Sequence, residues 1–130
     1  MISKEQERSD FALRQLKNFE IEEELANFII SIPSMILQNG LAQTMAFLLS
    51  KCKGIEDNSN KYYLVFKIIA SWSYRVNNNV PFNDSLQFFE IISNLEQDKY
   101  LSLQEEALKM LQWLKRYARA FQKETLNANT

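Results

Sequence analysis

The chain is organised around residues 32–53, which read IPSMILQNGLAQTMAFLLSKCK. Proline lacks an amide hydrogen and has a fixed φ, so Pro33 predicts that a new helical turn starts near it. Asn39 and Gly40 offer the left-handed backbone conformation that ends a helix. The apolar residues beyond them recur at the spacing of one helix face, at Leu41, Met45, Leu48, Leu49 and Cys52. This stretch predicts a short helix, a glycine bend and a second amphipathic helix, all packed in a hydrophobic core.

Composition favours helices along the rest of the chain. The 130 residues include only 2 Gly and 2 Pro, and 46% of them are hydrophobic. A chain of this length with few turn formers predicts an all-α, single-domain bundle of about six or seven helices over residues 1–130. The formal net charge is −1, so whole-molecule electrostatics predict neither a nucleic acid nor an anionic membrane as a partner. A basic site therefore requires local segregation of charge.

Missing residue types exclude several kinds of chemistry. The chain has no His, which removes the commonest general base, the commonest metal ligand and every His-activated nucleophile. Its single Cys, Cys52, cannot form an intrachain disulfide, and its phase with Leu48 predicts a buried thiol. The first residues are polar, and no apolar run approaches the roughly 18 to 20 residues of a membrane span. We expect a cytoplasmic protein that is not an enzyme and uses no metal, cofactor or membrane.

Local signals predict where the helices begin and end. Candidate capping pairs are Ser3 with Gln6, Asp84 with Gln87, and Ser102 with Glu105. The first pair opens a helix to about Asn18, and the last opens the longest helix, which we expect to reach about Glu124. Turn-forming residues lie at 54–60 and 77–81, and the helix predicted between them is apolar on most sides. We therefore predict that this helix is central. Its aromatic residues are expected in the core rather than in a base-stacking surface, which needs exposed rings.

Four carboxylates stand close together before this central region, at Glu20, Glu22, Glu23 and Glu24. In the opening turns of a second helix, they are favoured by the positive end of the helix dipole. Paired carboxylates also serve acid–base catalysis or metal binding, but helical metal sites of this kind use His partners that the chain lacks. We therefore interpret the cluster as a solvated helix start.

The last helix separates apolar from basic residues. On a wheel of about 3.6 residues per turn, one arc is apolar and predicted to face the core: Ala107, Met110, Leu111, Leu114, Tyr117, Ala118 and Phe121. A different arc is basic: Lys109, Lys115, Arg116, Arg119 and Lys123. No acidic residue interrupts the second arc. Such a basic stripe either binds phosphates or is simply a solvated face.

Two blocks of the sequence carry a family pattern. In residues 32–51 it is met by Pro33, Asn39, Gly40, Leu41, Phe47, Leu48 and Lys51. In residues 106–120 it is met by Glu106, Ala107, Leu111, Trp113, Lys115, Arg116, Tyr117 and Ala118. With these blocks the chain resembles the small helical subunit of type III-B CRISPR effector complexes, the Cmr family. Lys115 stands where that family often has Arg, so a forked contact is absent there while attraction to phosphate remains.

This resemblance implies a non-catalytic structural and RNA-binding subunit for antiviral defence in prokaryotes. Its implied partners are the backbone subunits and the large subunit of a Cmr complex, guide RNA and target RNA, and further copies of itself stacked along the RNA. We expect RNA contacts from Lys115, Arg116 and Arg119, and then from Lys109, Lys123, Lys51 and Lys53. Two alternatives stay open, namely a type III-A small subunit and a helical protein adaptor that binds no RNA. Trp113, Leu108 and Phe47 lie outside the apolar arcs and are candidates for exposed surface that neighbouring subunits cover.

Overall fold

Six α-helices form the secondary structure of the residues that the computed structural model describes, 1–78 and 81–123. They are α1 (Lys4–Leu16), α2 (Glu23–Asn39), α3 (Leu41–Cys52), α4 (Lys61–Asn78), α5 (Ser85–Ser93) and α6 (Gln97–Ala120). An isolated parallel bridge joins Ile21 to Gln122, and no strand occurs in these described ranges. The predicted all-α fold with about six or seven helices is confirmed. The extent of a single domain over 1–130 stays a prediction.

Several helix starts follow the local signals in the sequence. The capping box at α1 is present, because Ser3 Oγ accepts from the Gln6 amide at 3.1 Å and Gln6 Oε1 accepts from the Ser3 amide at 2.8 Å. At α5, Asp84 Oδ1 accepts from the Leu86 amide at 3.0 Å, without a return bond from Gln87. These bonds satisfy amides that have no partner inside the helix.

Pro33 does not start a helix, and the prediction that it does is wrong. It lies buried inside α2, where it cannot donate to the Ile29 carbonyl. A proline in a helix interior costs about 3 kcal/mol. On the turns around it, Ile29, Ile32 and Ile36 are all fully buried, and each such side chain contributes about 1.5–3 kcal/mol. Burial on one continuous helix face therefore outweighs the lost hydrogen bond.

The start of α6 also differs from the prediction. The helix begins at Gln97, five positions before the proposed capping box, and Ser102 lies exposed on its surface. Its first turn is closed by the Tyr100 amide, which donates to the Glu96 carbonyl at 2.9 Å. At its other end α6 stops at Ala120. The expected end at Glu124 lies outside the described residues, as do Asn79 and Val80 in the expected break after α4.

The acidic cluster spans the entry to α2 instead of lying wholly within it. Glu23 and Glu24 occupy the first turn, whereas Glu20 and Glu22 precede the helix, and all four are exposed. Ile21 between them is buried, and its carbonyl accepts from the Lys123 amide at 2.8 Å. The prediction of a solvated helix start therefore holds for Glu23 and Glu24. Glu20 and Glu22 instead lie on either side of Ile21, which pairs with the backbone near Lys123.

The chain folds into two compact units, each described here by itself. Among the described residues, the first comprises 1–33 and 109–123. Its buried hydrophobic side chains include Phe11, Ala12, Leu16, Ile21, Ala26, Ile29, Ile32, Met110, Leu111, Leu114 and Ala118. They include most of the apolar arc predicted for the last helix, which is confirmed at those positions.

The second unit comprises the described residues 34–78 and 81–108. Here α3 packs against α4, and Leu41, Met45, Leu48 and Cys52 are each at most 1% exposed, as the spacing predicts. The prediction of a central α4 is confirmed by its buried Leu64, Val65, Phe66, Ile68, Ile69, Ala70 and Trp72. Rings of Phe82, Phe88 and Phe89 lie within 6.1 Å of the Phe66 ring.

Within this second unit, α6 supplies the N-terminal cap of α3. Gly40 is the N-cap residue and has no side chain to accept a hydrogen bond. Instead Gln104 Oε1 accepts from the Leu41 amide at 2.8 Å, and Tyr100 Oη accepts from the Ala42 amide at 3.0 Å. Gly40 has φ +85° and ψ 163°, a conformation open essentially to glycine alone. A Cβ there would lie 3.4 Å from Tyr100 Oη.

Candidate nucleic-acid interface

The basic stripe of α6 lies in the first unit, and its members differ in their surroundings. Lys109, Arg116 and Arg119 are exposed, and Lys115 is half-buried. Within the described ranges, neither Lys115 nor Arg116 takes part in a side-chain hydrogen bond or an ion pair. Their charges are therefore available to an anion from solution. Positions 109, 116 and 119 share one side of the helix. Position 116 lies nearly two turns beyond 109, and 119 lies nearly one turn beyond 116.

Arg119 and Lys123 are held by neighbouring groups. The Arg119 guanidinium donates to Asn27 Oδ1 at 2.8 Å and to Gln122 Oε1 at 2.5 Å. Lys123 lies beyond the end of α6, and its Nζ is 3.8 Å from a carboxylate oxygen of Glu20 and 3.8 Å from one of Glu22. The charge of Lys123 is partly neutralised, so it attracts phosphate less than its place on the wheel implies.

A cleft of about 230 Å³ opens beside the stripe, bordered by Glu5, Lys109, Gln112, Trp113 and Arg116. Two basic side chains, an amide, a carboxylate and an indole therefore surround one depression. A second and more apolar groove of about 530 Å³ runs along α1 and is bordered by Ile2, Leu13 and Trp113 among others. Trp113 contributes to both depressions.

Three aromatic rings follow one another along the last turns of the chain. The Trp113 and Tyr117 ring centroids lie 5.8 Å apart, and those of Tyr117 and Phe121 lie 6.2 Å apart. The Tyr117 hydroxyl is 2.6 Å from Ser9 Oγ on α1. Phe121 is 59% exposed, so the prediction that it faces the core is wrong. Its amide still donates to the Tyr117 carbonyl at 2.9 Å, as in a helix, but Phe121 lies just past the last residue of α6, and its ring stays on the surface there.

Lys51 and Lys53 belong to the second unit, so the proposed RNA-binding residues are divided between the two units. The Lys51 ammonium lies 5.5 Å from the centroid of the Phe47 ring, a cation–π distance. Lys53 is exposed and follows α3 in the left-handed conformation, with φ 50°. Both ammonium groups are on the surface at the C-terminal end of α3.

The Cys52 thiol and the acidic side chains are the other candidates for chemistry that the sequence offers. Burial, and then the negative charge of Glu56, raise the pKa of the Cys52 thiol, so that it stays protonated. Among the described residues, no group of three or more His, Cys, Asp or Glu side chains is placed to hold a metal. None of the helices in those residues combines the length and apolarity needed to cross a bilayer.

Comparison with protein families identifies the chain. Residues 4–121 match the family described as CRISPR-associated protein (Cas_Cmr5). The chain belongs to the Cmr5 family. It is therefore a small subunit of a type III-B CRISPR Cmr complex. This membership confirms the resemblance to Cmr proteins and excludes the alternative of a type III-A small subunit.

Two residues that border the cleft beside the stripe, Gln112 and Glu5, are not among the predicted site residues. Gln112 was overlooked although it lies three residues from Lys109 and four from Arg116, a spacing that places all three on one side of a helix. A wheel that included uncharged polar residues would have found it. Glu5 could not have been found this way, because the packing of α1 brings it to the cleft.

Proposed function

We propose that this Cmr5 family member is a non-catalytic, RNA-binding structural subunit that acts in the cytoplasm in antiviral defence. Several copies would stack along guide RNA and target RNA, beside the backbone subunits and the large subunit of the complex. Cutting would be left to other subunits. The proposal rests first on the basic face of α6, where Lys115 and Arg116 have no ion-pair partner within the described ranges.

The chemistry of that face favours a phosphate backbone over base sequence. Lys and Arg side chains meeting phosphates fix the position of a strand but carry no sequence information. Sequence would come from pairing between guide and target. Lys109 and Arg119 extend the same face, while Arg119 is oriented by its bond to Asn27. Lys51 and Lys53 supply additional positive charge in the second unit.

The experiment is a salt titration of RNA binding with the Lys115→Ala/Arg116→Ala/Arg119→Ala variant. Each phosphate neutralised on a single strand contributes about 0.7 to the slope of log affinity against log salt. We expect the slope to fall by about 2 for the three residues, with similar losses for RNAs of different sequence. Fluorescence anisotropy measures it for the full chain alone and in the assembled complex. An unchanged slope in both settings contradicts the proposal.

A matched control separates local from overall charge. The variant Lys17→Ala/Lys67→Ala/Lys99→Ala also removes three positive charges from exposed positions, none of which we place at RNA. It should keep the wild-type slope. If both triple variants lose the same amount, binding follows net charge alone, and α6 has no special part in it.

The remaining alternative is a helical adaptor whose basic face is only solvated. It predicts no RNA binding at moderate salt and no effect of either triple variant. The non-catalytic part of the proposal is tested separately, by assaying the purified protein for nuclease, nucleotidyl transferase and hydrolase activity with and without divalent metal. We expect no turnover. Robust activity that is lost when one carboxylate is substituted would refute this part.

Self-association is supported by partly exposed apolar side chains. Phe47 is 39% exposed, and Leu108 is half-buried, so neither side chain is fully buried within the chain. Single exposed apolar residues are common, so the test must be direct. Sedimentation of the full chain at increasing concentration should show association that Phe47→Ser weakens. A monomer at all concentrations, both with and without RNA, would refute stacking between copies.

A further inference from the structure

We propose that the cleft between Trp113 and the basic residues of α6 holds one unpaired nucleotide of a bound RNA strand, with its base against the indole. This inference rests on the proposed function and adds to it the part of the RNA that is recognised. A surface that contacts phosphates alone binds paired and unpaired strands by the same groups. A cleft for a base requires a strand whose base is free.

Charge within the first unit favours a nucleotide over an apolar ligand. Lys109 and Arg116 border the cleft seven residues apart on α6, and both are exposed. They can hold the phosphates on either side of a nucleotide. Glu5 borders the same cleft, and a carboxylate repels phosphate but accepts from the amino groups of bases. Phosphate would lie toward the cations, and the base toward Glu5.

The groups available to a base edge are partly fixed in position. Glu5 Oε1 accepts from Arg8 Nη1 at 3.0 Å, which orients the carboxylate. The Gln112 amide carries both donors and an acceptor and can turn to suit different bases. Together these groups can satisfy a base edge without demanding one sequence. That tolerance suits a subunit whose complex takes its sequence from the guide.

The indole is a preorganised stacking surface. Trp113 packs on the Tyr117 ring at 5.8 Å, and Tyr117 is anchored by its hydroxyl 2.6 Å from Ser9 Oγ. These contacts restrict the ring, and the half-buried indole borders the cleft. Stacking of a base on an aromatic side chain tolerates any sequence, because every base has a π-face.

The test compares two single-stranded RNAs with the same length and the same phosphates, one with its bases and one with abasic riboses. With the wild-type full chain, the RNA with bases should bind about 5- to 150-fold more tightly, the range expected for one stacked base. In Trp113→Leu this ratio should lose most of that factor, leaving only the smaller preference that Glu5 and Gln112 provide, while the salt slope stays unchanged. Trp113→Phe keeps a ring and should restore part of the ratio.

Two further variants test whether a lower ratio in Trp113→Leu could come from disturbed folding instead of a lost base contact. Gln112 is exposed and Ala is favoured in helices, so Gln112→Ala should lower the ratio without loss of structure. Leu101 is an exposed apolar residue of α6 in the second unit, and Leu101→Ala should leave the ratio unchanged.

The outcomes distinguish this inference from the function on which it rests. A normal salt slope with a wild-type ratio near one refutes the base cleft and leaves phosphate binding intact. If the full chain binds no RNA either alone or in the assembled complex, both the base cleft and the proposed function are refuted. A Trp113→Leu variant that keeps the wild-type ratio but fails to join the other subunits assigns the indole to a protein neighbour, and this too refutes the base cleft.

Discussion

The cap that α6 places on α3 can be tested by removing its acceptor. Gln104→Ala takes away the oxygen that accepts from the Leu41 amide at 2.8 Å. No side chain at Gly40 can replace it, and Leu41 is fully buried. The amide would be left without a partner at the first turn of a core helix.

The expected cost follows from this burial. An unsatisfied buried donor costs about 1–3 kcal/mol, and Gln104 is itself half-buried. Because water can reach its side of the bond, we expect about 1–2 kcal/mol for Gln104→Ala, in line with the loss of an N-cap. Tyr100→Phe removes the partner of the half-buried Ala42 amide and should cost about 0.5–1.5 kcal/mol.

Urea unfolding followed by helical circular dichroism measures these free energies, and hydrogen exchange of the Leu41 amide should be faster in Gln104→Ala. The matched control is Gln104→Glu, which keeps an acceptor and adds a negative charge at a helix N-terminus. It should be neutral or stabilising by up to about 1 kcal/mol. A capping role for Gln104 is refuted if Gln104→Glu is as unstable as Gln104→Ala, or if Gln104→Ala unfolds like the wild type.

Three other perturbations have definite expected results. Leu114→Ala should cost about 2–5 kcal/mol of unfolding free energy by leaving a cavity at a fully buried site, whereas Leu114→Met should cost less than about 1.5 kcal/mol, both measured in urea. In the same urea measurement, Asp84→Ala should lower the free energy of unfolding by about 0.5–2 kcal/mol because it removes the N-cap, and Asp84→Asn should retain most of the stability. The raised pKa of Cys52 means that the folded state holds the thiol proton more strongly, so stability is fully present below the ordinary pKa of 9.0 and falls as pH rises above it. Unfolding at several alkaline pH values, with Cys52→Ala as reference, should show this decline to be smaller in the variant.

The parts of the fold that sequence predicted correctly depend on neighbours in the chain. The Ser3–Gln6 box and the Asp84 cap are bonds across two or three residues, and the buried face of α3 follows from its spacing. The box at Ser102 was misleading because Tyr100 and Gln104 are engaged by α3, which favours helix upstream of Ser102. These two hydrogen bonds join residues that are separated by 58 and by 63 positions in the chain. They have no signature in the local sequence.

The candidate interface shows the same division. Helical spacing alone places Lys109, Arg116 and Arg119 on one side of α6. Neutralisation of Lys123 by Glu20 and Glu22 depends on the return of the chain to Ile21, where the Lys123 amide makes its backbone bond. Periodicity cannot reveal such a partner, so the helical wheel places Lys123 on the same arc as Lys115 and Arg116, although within the described ranges only Lys123 of these three has carboxylates beside it.

The placement of the two tryptophans allows the cooperativity of unfolding to be measured without a label. Trp72 is 3% exposed in the second unit, and Trp113 is half-buried in the first. A buried indole emits at shorter wavelength than one that contacts water, so the two ends of the emission band report on different units. Coincident transitions of both signals with the helical signal would show that the chain unfolds as one two-state domain. Separated transitions would give each unit its own stability, and an unfolding free energy would then belong to a unit and not to the whole chain.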